Sequence, residues 1–590
     1  MNKVKLLFEI PYFQVKKNKN NTSFYTKYNG VWKKKLTSQL ISDVNNLSKK
    51  LLQLGLVKND KVAIITDRNR AEWHIVDYAL MQIGVLSVPI HSSTSIIETK
   101  YILNHCQAKF CFVSNKEMFD KVVPIRSNVN ALIDIFTFDA IAKYQSVYDL
   151  ITSGKLLNTI EQVEIVKKTI LEDDIMTIIY TSGTTAMPKG VMISHKNVVS
   201  TIYKAYDETV PKDVHLERAL SFLPISHLFE RMILYMYQNN EINIYFAESL
   251  ESIGQDMKTV KPQVLIIVPR LLEKIHDKIV EKANELSFVK KKLFKWAMEI
   301  GYNYLPDEQN GPKYERKLAL ARKTVFIKWK EVFGGEVELI ICGGSKLQPK
   351  LSSVFNAAGL YVMDGYGLTE SSAVLTVNSR LKGCNKIGSV GRPISSLEVV
   401  IANDNEILIK GDNVMKGYYK NDFKTNESFE NGYFKTGDLG KLDKDGFLYI
   451  TGRKKDIFKT SGGKYVAPSK IENQLKLSNQ IEQVMVIGEN ERFPAAIIQP
   501  NFEFFSKKYP KFSKEEISNS KEVLVSIQRE VVKCNEVLSQ SEKIKKIGLT
   551  IDEWTIDRGH LTPTLKVKRD VVKSKYYDIY SEIYRPMMTD

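Results

Sequence analysis

The sequence has few cysteines and no long apolar run. Its five cysteines, an odd number, are scattered over 590 residues, with no CxxC pair and no His/Cys cluster at the spacing of zinc ligands. No apolar stretch reaches the roughly 18–20 residues that span a bilayer, and Glu9 and Pro11 interrupt the short apolar stretch near the start. We therefore expect no disulfide framework, no zinc site, no signal peptide and a cytoplasmic protein, free or peripheral at the inner face of the membrane.

The composition is that of a folded globular protein. Hydrophobic residues make up 43% and charged residues 26%, close to the averages for soluble proteins, and 590 residues are enough for several domains. The net charge of +17 favours anionic partners such as phosphate-rich substrates or anionic lipid. The lysine tracts 33–35 and 290–292 are short and lie in no nucleic-acid-binding motif, so we expect no nucleic-acid binding.

Strand-like and helix-like patterns alternate through the first half of the chain. Val62–Thr66, 85–89 and Phe110–Val113 are short apolar runs, and a helix-like stretch begins at Ala71. This alternation is typical of an α/β fold with a largely parallel sheet. A Lys/Glu-rich helical pattern over about 270–335, broken at 310–312, reads as an insertion.

The later part of the chain changes in pattern twice. Residues 386–452 are β-rich and punctuated by glycine, which predicts a small β subdomain. A charged junction follows at 453–456, and then come separate strand and helix signals, including a helical pattern over 514–536. We therefore expect an N-terminal domain over 1–452 and a smaller, mobile α+β C-terminal domain over 453–590, with a hinge at 453–456.

The most informative stretch is Tyr180–Gly190, with the letters YTSGTTAMPKG, directly after the apolar run 175–179. Such a loop offers hydroxyls, backbone N–H groups and the charge of Lys189 to a polyphosphate. It is not a Walker A loop, because Pro188 precedes the lysine and Gly190 follows it.

This stretch closely resembles the phosphate-binding signature of the adenylate-forming superfamily, which includes acyl-CoA synthetases, luciferases and adenylation domains. The usual pattern has Gly where this chain has Ala186. The resemblance implies an ATP-binding loop and assigns Thr184 to catalysis and to the metal. The loop residues that it implies as nucleotide ligands are Thr181, Ser182, Gly183, Thr185 and Lys189.

Two further segments are similar to the superfamily's adenine and metal motifs. In Asp364–Glu370 the resemblance implies that Tyr366 stacks on adenine, that Thr369 contacts the α-phosphate and that Glu370 holds Mg²⁺; an aromatic face suits a base, and an oxygen ligand suits Mg²⁺. In 342–345 small side chains would let the adenine ring approach. The additional pocket residues implied are Gly343, Gly344, Ser345 and Gly367.

The resemblance continues into the C-terminal part. Asp438 and Arg453 match the pair that holds the ribose, and Lys455 falls at the hinge position. The segment 459–464 resembles the turn that enters the active site for thioester formation, where Gly462 would leave room for the pantetheine arm of coenzyme A.

A lysine near the C-terminus matches the superfamily's catalytic position. Lys566 lies in the segment 561–569, and an ammonium on a long side chain can stabilise charge that develops on the α-phosphate and the attacking carboxylate. Lys568 is the alternative two residues away; we prefer Lys566 because Lys-x-x-Arg matches the superfamily's ending.

The segments 223–231 and 268–274 resemble the long-chain fatty acyl-CoA synthetase branch, with His227 near the substrate carboxylate. We therefore expect a long-chain fatty acid:CoA ligase (AMP-forming), a lipid-metabolism enzyme that uses ATP, Mg²⁺ and coenzyme A. The alternative is another adenylate-forming ligase, such as an aryl-CoA or fatty acyl-AMP ligase. Peripheral contact with an anionic membrane and a homodimer are both compatible with the sequence.

Overall fold

The computed structural model describes residues 3–18, 21–181, 187–249, 251–556, 558–562 and 566–585. The strands in these ranges are β1 Thr22–Tyr28, β2 Val31–Leu36, β3 Lys61–Thr66, β4 Leu86–His91, β5 Phe110–Val113, β6 Asp134–Thr137, β7 Ile175–Thr181, β8 Lys189–Ser194, β9 Arg218–Ser221, β10 Asn243–Phe246, β11 Val264–Ile267, β12 Leu339–Cys342, β13 Tyr361–Tyr366, β14 Thr376–Val377, β15 Arg392–Pro393, β16 Leu397–Ile401, β17 Glu406–Gly411, β18 Gly417–Tyr418, β19 Phe429–Glu430, β20 Tyr433–Leu442, β21 Leu448–Arg453, β22 Phe458–Lys459, β23 Tyr465–Val466, β24 Ile481–Ile487, β25 Ala495–Pro500 and β26 Lys546–Leu549.

Helices connect and cover these strands. The α-helices are α1 Ile10–Lys17, α2 Thr37–Gln53, α3 Ala71–Met81, α4 Ile96–Cys106, α5 Lys116–Val122, α6 Val147–Lys155, α7 Ile160–Lys167, α8 His195–Thr209, α9 Leu228–Asn239, α10 Ile253–Val260, α11 Pro269–Ala283, α12 Phe288–Tyr302, α13 Pro312–Ala321, α14 Ile327–Val332, α15 Pro349–Ala357, α16 Asp422–Ser428, α17 Pro468–Leu475, α18 Phe502–Lys508, α19 Lys514–Asn519, α20 Lys521–Glu536, α21 Arg569–Lys575 and α22 Tyr577–Tyr584. Among the described helices, none is both long and apolar enough to cross a membrane.

Two large sheets are built from strands between Thr22 and Tyr418. One has the strand order β15-β14-β13-β12-β11-β9-β10-β1-β2 and is parallel from β13 to β1. The other has the order β18-β8-β7-β4-β3-β5-β6 and is parallel from β7 to β6. The predicted α/β class with parallel sheets and flanking helices is therefore confirmed.

Smaller sheets follow in the chain, among them one antiparallel sheet and one mixed sheet. The strands β16, β17, β19, β20 and β21 form a five-stranded sheet over the segment expected to be a small β subdomain. The strands β24, β25 and β26 form a separate three-stranded sheet. Buried apolar clusters follow the same division, because three clusters end at or before Leu448 and two begin at or after Phe458.

The segment expected to be a helical insertion contains helices α11 to α14. A π-helical turn at 322–326 joins α13 to α14. Its expected break at 310–312 falls at the start of α13, where Gly311, directly before the helix, has a φ of +79°, in the region that favours glycine. The helical pattern over 514–536 forms two helices rather than one. Ser520 separates them with an extended backbone, and its side chain caps α20 by accepting a hydrogen bond from Val523 N.

Candidate active site

The candidate site lies at the carboxyl ends of parallel strands. Cys342 pairs with Asp364 in the parallel strands β12 and β13, so the turns that follow these strands emerge at one edge of the sheet. Thr181 ends β7 in the other large sheet. Ligands of open α/β sheets characteristically bind beyond the carboxyl ends of the strands.

Thr181 and Lys189 also face each other across a hairpin, because they are register partners in the antiparallel strands β7 and β8. The predicted phosphate loop lies between these two strands in the sequence. Its residues Ser182, Gly183, Thr184, Thr185 and Ala186 lie outside the described residues.

The glycines of the predicted adenine wall are required by the packing of the protein itself. A Cβ on Gly343 would lie 3.0 Å from Cζ of Phe229, and one on Gly367 would lie 2.1 Å from the backbone oxygen of Ala373. Gly344 has a φ of +88°, which a side chain would strain. Ser345 follows and is exposed. Small residues at these positions are thus explained without a ligand, and the expected approach of a ring stays a prediction.

Asp438 is the centre of a hydrogen-bonded group at the candidate ribose site. Its side chain is buried and accepts hydrogen bonds from Tyr366 Oη at 2.6 Å and from Arg453 Nε at 2.8 Å. Asp438 and Arg453 are register partners in the antiparallel strands β20 and β21, which explains how residues 15 positions apart meet. Burial and the neighbouring carboxylate raise the pKa of Tyr366 well above its usual value.

Glu370 lies in the short 3₁₀ helix 369–371, together with Thr369. Its Oε1 accepts a 3.1 Å hydrogen bond from Tyr418 Oη. The Nζ atom of Lys189 lies 5.4 Å from the centre of the Tyr418 ring. Burial, followed by the charges of Lys424 and Lys455, lowers the pKa of Lys189. A carboxylate and a crowded ammonium therefore meet at the position predicted for the metal and the phosphates.

Lys566 reaches this site from the C-terminal part of the chain. Its backbone N–H donates to Thr562 Oγ1 at 3.1 Å, and Thr562 N donates to its carbonyl at 2.8 Å. The residue is exposed to solvent. The surrounding protein, followed by the charge of Arg453, lowers its pKa, and the carboxylates of Asp438, Asp456 and Glu370 are close enough to oppose that shift.

His227 is half-buried directly before α9 and lies near Lys566. Burial, followed by the positive charge of Lys566, lowers its pKa to about 4, so the ring is neutral at physiological pH. Its centre lies 5.5 Å from that of His91. Its Nε2 has no hydrogen-bond partner among the described residues. Such an atom is available to a ligand.

A buried network fixes α9 between the two large sheets. Arg231 is fully buried and donates to Asp77 Oδ1 at 2.5 Å, to Thr177 Oγ1 at 2.9 Å and to Ser87 Oγ at 3.0 Å. The helix therefore contacts α3, β4 and β7 through one side chain. This network holds the backbone on which His227 lies.

The remaining predicted residues are not at the centre of the site. Lys455 is exposed in a turn in which Asp456 N donates to Arg453 O at 3.1 Å. Gly462 is exposed, and a Cβ there would meet nothing within 4 Å. Lys568 Nζ lies 3.7 Å from Glu98 Oε1 at the start of α4. Of the two candidate lysines, Lys566 is the one near Asp438 and Glu370.

Ion pairs join the segment after 453 to α11. Arg270 Nη2 lies 2.5 Å from Glu482 Oε1 and Lys507 Nζ lies 2.6 Å from Glu281 Oε1. The first pair is about one-quarter exposed on each side, and the second is more than half exposed. The sequence analysis missed these contacts, and it also missed Tyr418. The only local signal for Tyr418 is the Gly-Tyr-Tyr run at 417–419.

These observations describe an α/β protein in which Asp438, Glu370 and a C-terminal lysine lie near one another. Residues 14–419 match the AMP-binding enzyme family, and residues 455–587 match the AMP-binding enzyme C-terminal domain. The chain therefore belongs to the AMP-binding enzyme family.

Its curated relatives include long-chain-fatty-acid–CoA ligases. The chain is 31% identical over 568 residues to long-chain-fatty-acid–CoA ligase FadD15 of Mycobacterium bovis, covering 94% of this chain and 93% of the relative. It is 30% identical to human long-chain-fatty-acid–CoA ligase 1, covering 90% and 80%.

Solved structures share the fold. A Mycobacterium tuberculosis fatty acyl CoA synthetase superposes with a TM-score of 0.63 at 21% identity, covering 97% of this chain and 99% of that one. The anthranilate CoA ligase AuaEII in complex with anthranoyl-AMP superposes with a TM-score of 0.71 at 19% identity, covering 98% of each chain.

Proposed function

We propose that the protein is a long-chain fatty acid:CoA ligase (AMP-forming). It would convert a fatty acid and ATP to acyl-AMP and pyrophosphate, and then transfer the acyl group to coenzyme A. The observation that carries the proposal is the position of Lys566, which is close enough to Asp438, Glu370 and His227 for the charges of these groups to act on one another. A cation, a ribose-type acceptor and a carboxylate thus converge where an acid and a phosphate could react.

In the first half-reaction, Asp438 would accept hydrogen bonds from the ribose hydroxyls while Tyr366 and Arg453 hold its carboxylate. The fatty acid carboxylate would attack the α-phosphorus, forming the acyl–phosphate bond as the bond to pyrophosphate breaks. Lys566 would stabilise the negative charge shared between the two oxygens. Neutral His227 would donate a hydrogen bond to the carboxylate without adding a second full charge.

The residues present fit Mg²⁺. Glu370 accepts from the neutral Tyr418 hydroxyl and belongs to no ion pair among the described residues, so an oxygen is left for a hard cation. Mg²⁺ supplies neutralisation of the polyphosphate charge when it is bound. Glu370 would hold it, Thr184 would be its second protein contact, and Lys189 would contact the phosphate oxygens.

For the second half-reaction we propose that the part after Arg453 changes its placement at 453–456. Separate buried clusters on the two sides of this junction support that division. The exposed turn containing Gly462 would then enter the site and admit the coenzyme A thiol. The thiol would attack the acyl carbonyl, with AMP as the leaving group.

A long-chain acid is favoured over an aromatic acid by the names of the relatives at 30–31% identity. The experiment that tests this proposal measures AMP formation with short, medium, long-chain and aromatic acids, with and without coenzyme A. We expect the highest kcat/KM for a long-chain acid and acyl-CoA as product. Preference for an aromatic acid, or accumulation of acyl-AMP despite coenzyme A, would overturn the proposal in favour of an aryl-CoA or fatty acyl-AMP ligase.

Peripheral contact with an anionic membrane is part of the same proposal, and the net charge of +17 supports it. A homodimer and a cytoplasmic location stay predictions from the sequence.

A further inference from the structure

The turn between α11 and α12 presents large apolar side chains to water. Phe288 and Val289, the first two residues of α12, are 76% and 75% exposed. Leu286 precedes them, and Leu293 lies one turn beyond Val289; both are also exposed. We call residues 286–295 the basic apolar tip. Single exposed apolar residues are common, but four within eight positions form a patch of the kind that marks an interaction site.

The same tip carries unbalanced positive charge. Residues 286–298 include four lysines and no aspartate or glutamate. Lys290, Lys292 and Lys295 are exposed, and in the part of the chain that the structure describes no carboxylate pairs with them. Lys292 Nζ lies 5.4 Å from the centre of the Phe288 ring, so an apolar face and a cation lie side by side.

The tip has a firm base. The later residues Ala297, Met298 and Ile300 of α12 are buried in the apolar cluster beneath it, whereas the first residues of the helix are exposed. The other end of α11 lies beside the predicted adenine wall. Val268, the residue before this helix, has its Cγ1 atom 3.8 Å from where a Cβ on Gly344 would lie. The 15 residues of α11 place the tip about 22 Å from that end of the helix.

We propose that the basic apolar tip docks the protein on the surface of an anionic lipid bilayer, an inference that rests on the membrane contact of the proposed function and names the surface that makes it. Phe288 and Val289 would enter the interface between headgroups and acyl chains, where amphipathic helices bury their apolar side chains. The lysines would contact the anionic headgroups, to which basic residues beside a membrane are attracted. A bilayer fits a convex helical turn, because it needs no preformed complementary groove.

The test uses the full-length protein without ATP or fatty acid, so it is independent of the ligase activity. Binding is measured by co-sedimentation with vesicles of phosphatidylcholine alone and with vesicles that also contain phosphatidylglycerol. We expect binding to the anionic vesicles, weakened by salt. Phe288→Ser with Val289→Ser should weaken it about tenfold, and Lys290→Gln, Lys292→Gln and Lys295→Gln together roughly 10- to 100-fold.

The matched control replaces three exposed lysines elsewhere, Lys508, Lys511 and Lys521, with glutamine, and should change binding less than about twofold if the tip is the specific contact. Equal binding to neutral vesicles, or an equal loss in the control, would overturn the proposal.

Hydrogen exchange on the unmodified protein gives a second measurement that does not depend on how the variants fold. Peptides covering 284–296 should be protected by anionic vesicles. Absence of that protection would show that the bilayer is not the partner. Binding of the tip variants to polyglutamate and to duplex DNA is measured as well. If the variants lose binding to these polyanions but keep binding to vesicles, the bilayer is again not the partner.

Discussion

The hydroxyl of Tyr366 donates a 2.6 Å hydrogen bond to Oδ2 of Asp438, and Oδ1 of that carboxylate accepts from Arg453. Both carboxylate oxygens are thereby oriented before any ligand arrives. Each oxygen still has an acceptor position for a ligand hydroxyl. The ribose site that we propose is therefore preorganised by an aromatic residue and a residue from the start of the junction.

Tyr366→Phe should raise the KM for ATP about 5- to 20-fold with a smaller change in kcat, because a hydrogen bond to a charged group is lost. Steady-state kinetics at saturating acid measures this. Tyr433→Phe is the control, since its hydroxyl bonds the exposed Glu398 at 2.6 Å away from the site. A similar rise in KM in both variants would contradict the proposed role.

Lys566→Ala should slow acyl-adenylate formation on the order of 100- to 1,000-fold, because it removes a charge that stabilises the transition state. Thioester formation from supplied acyl-adenylate should stay near normal. Pyrophosphate release and acyl-CoA appearance are measured separately. Lys568→Ala, which removes a side chain near Glu98, is the control, and our assignment is wrong if it reproduces the loss.

Glu370→Ala should greatly increase the Mg²⁺ concentration needed for half-maximal turnover, because we propose that this side chain binds the metal. The Tm should not fall, because the side chain is not needed for packing. Tyr418→Phe should shift the same Mg²⁺ dependence only a few fold, because it removes one donor to Glu370. A large fall in Tm with normal Mg²⁺ dependence would indicate a structural role instead.

Glu482→Gln should slow adenylation about 3- to 5-fold and leave transfer from supplied acyl-adenylate unchanged, because its partly buried pair with Arg270 holds the C-terminal part beside α11. Lys507→Gln should have little effect, since its pair with Glu281 is exposed. Single-turnover rates of the two half-reactions check this. Equal slowing of both would show that the pair does not select a placement.

Burial raises the pKa of Glu230 to about 8, so this carboxyl stays protonated in the folded protein at neutral pH. The unfolded chain releases that proton near its ordinary pKa of 4.5. Stability is therefore lost as pH rises between those values. Glu230→Gln should make the fall in Tm between pH 5 and pH 8 smaller than in the unmodified protein. An unchanged difference would mean that Glu230 is ionised in the fold.

Local patterns were enough to predict much of the fold. Phe110–Val113 is a strand with the bounds that its apolar run indicated, and the glycine at 311 directly precedes α13. Ser520 was harder to interpret, because a capping serine between two amphipathic helices differs little from a polar residue on the exposed face of one helix.

Contacts between distant segments could not be predicted in this way. Arg270 and Glu482 are 212 positions apart, and either charge alone is typical of a solvated surface. Arg231 is likewise a buried partner of Asp77 rather than a surface arginine. Such pairs depend on how the sheets and the C-terminal part come together, which no local periodicity encodes.

The cross-strand pairing of Asp438 with Arg453 has a mechanical consequence. Rotation displaces an atom in proportion to its distance from the axis, and Arg453 lies at the first residue of the proposed pivot. Groups that clasp the ribose would therefore scarcely move, whereas Lys566 would sweep through a wide arc. The nucleotide would therefore lie close to the rotation axis, and AMP could stay bound through both half-reactions.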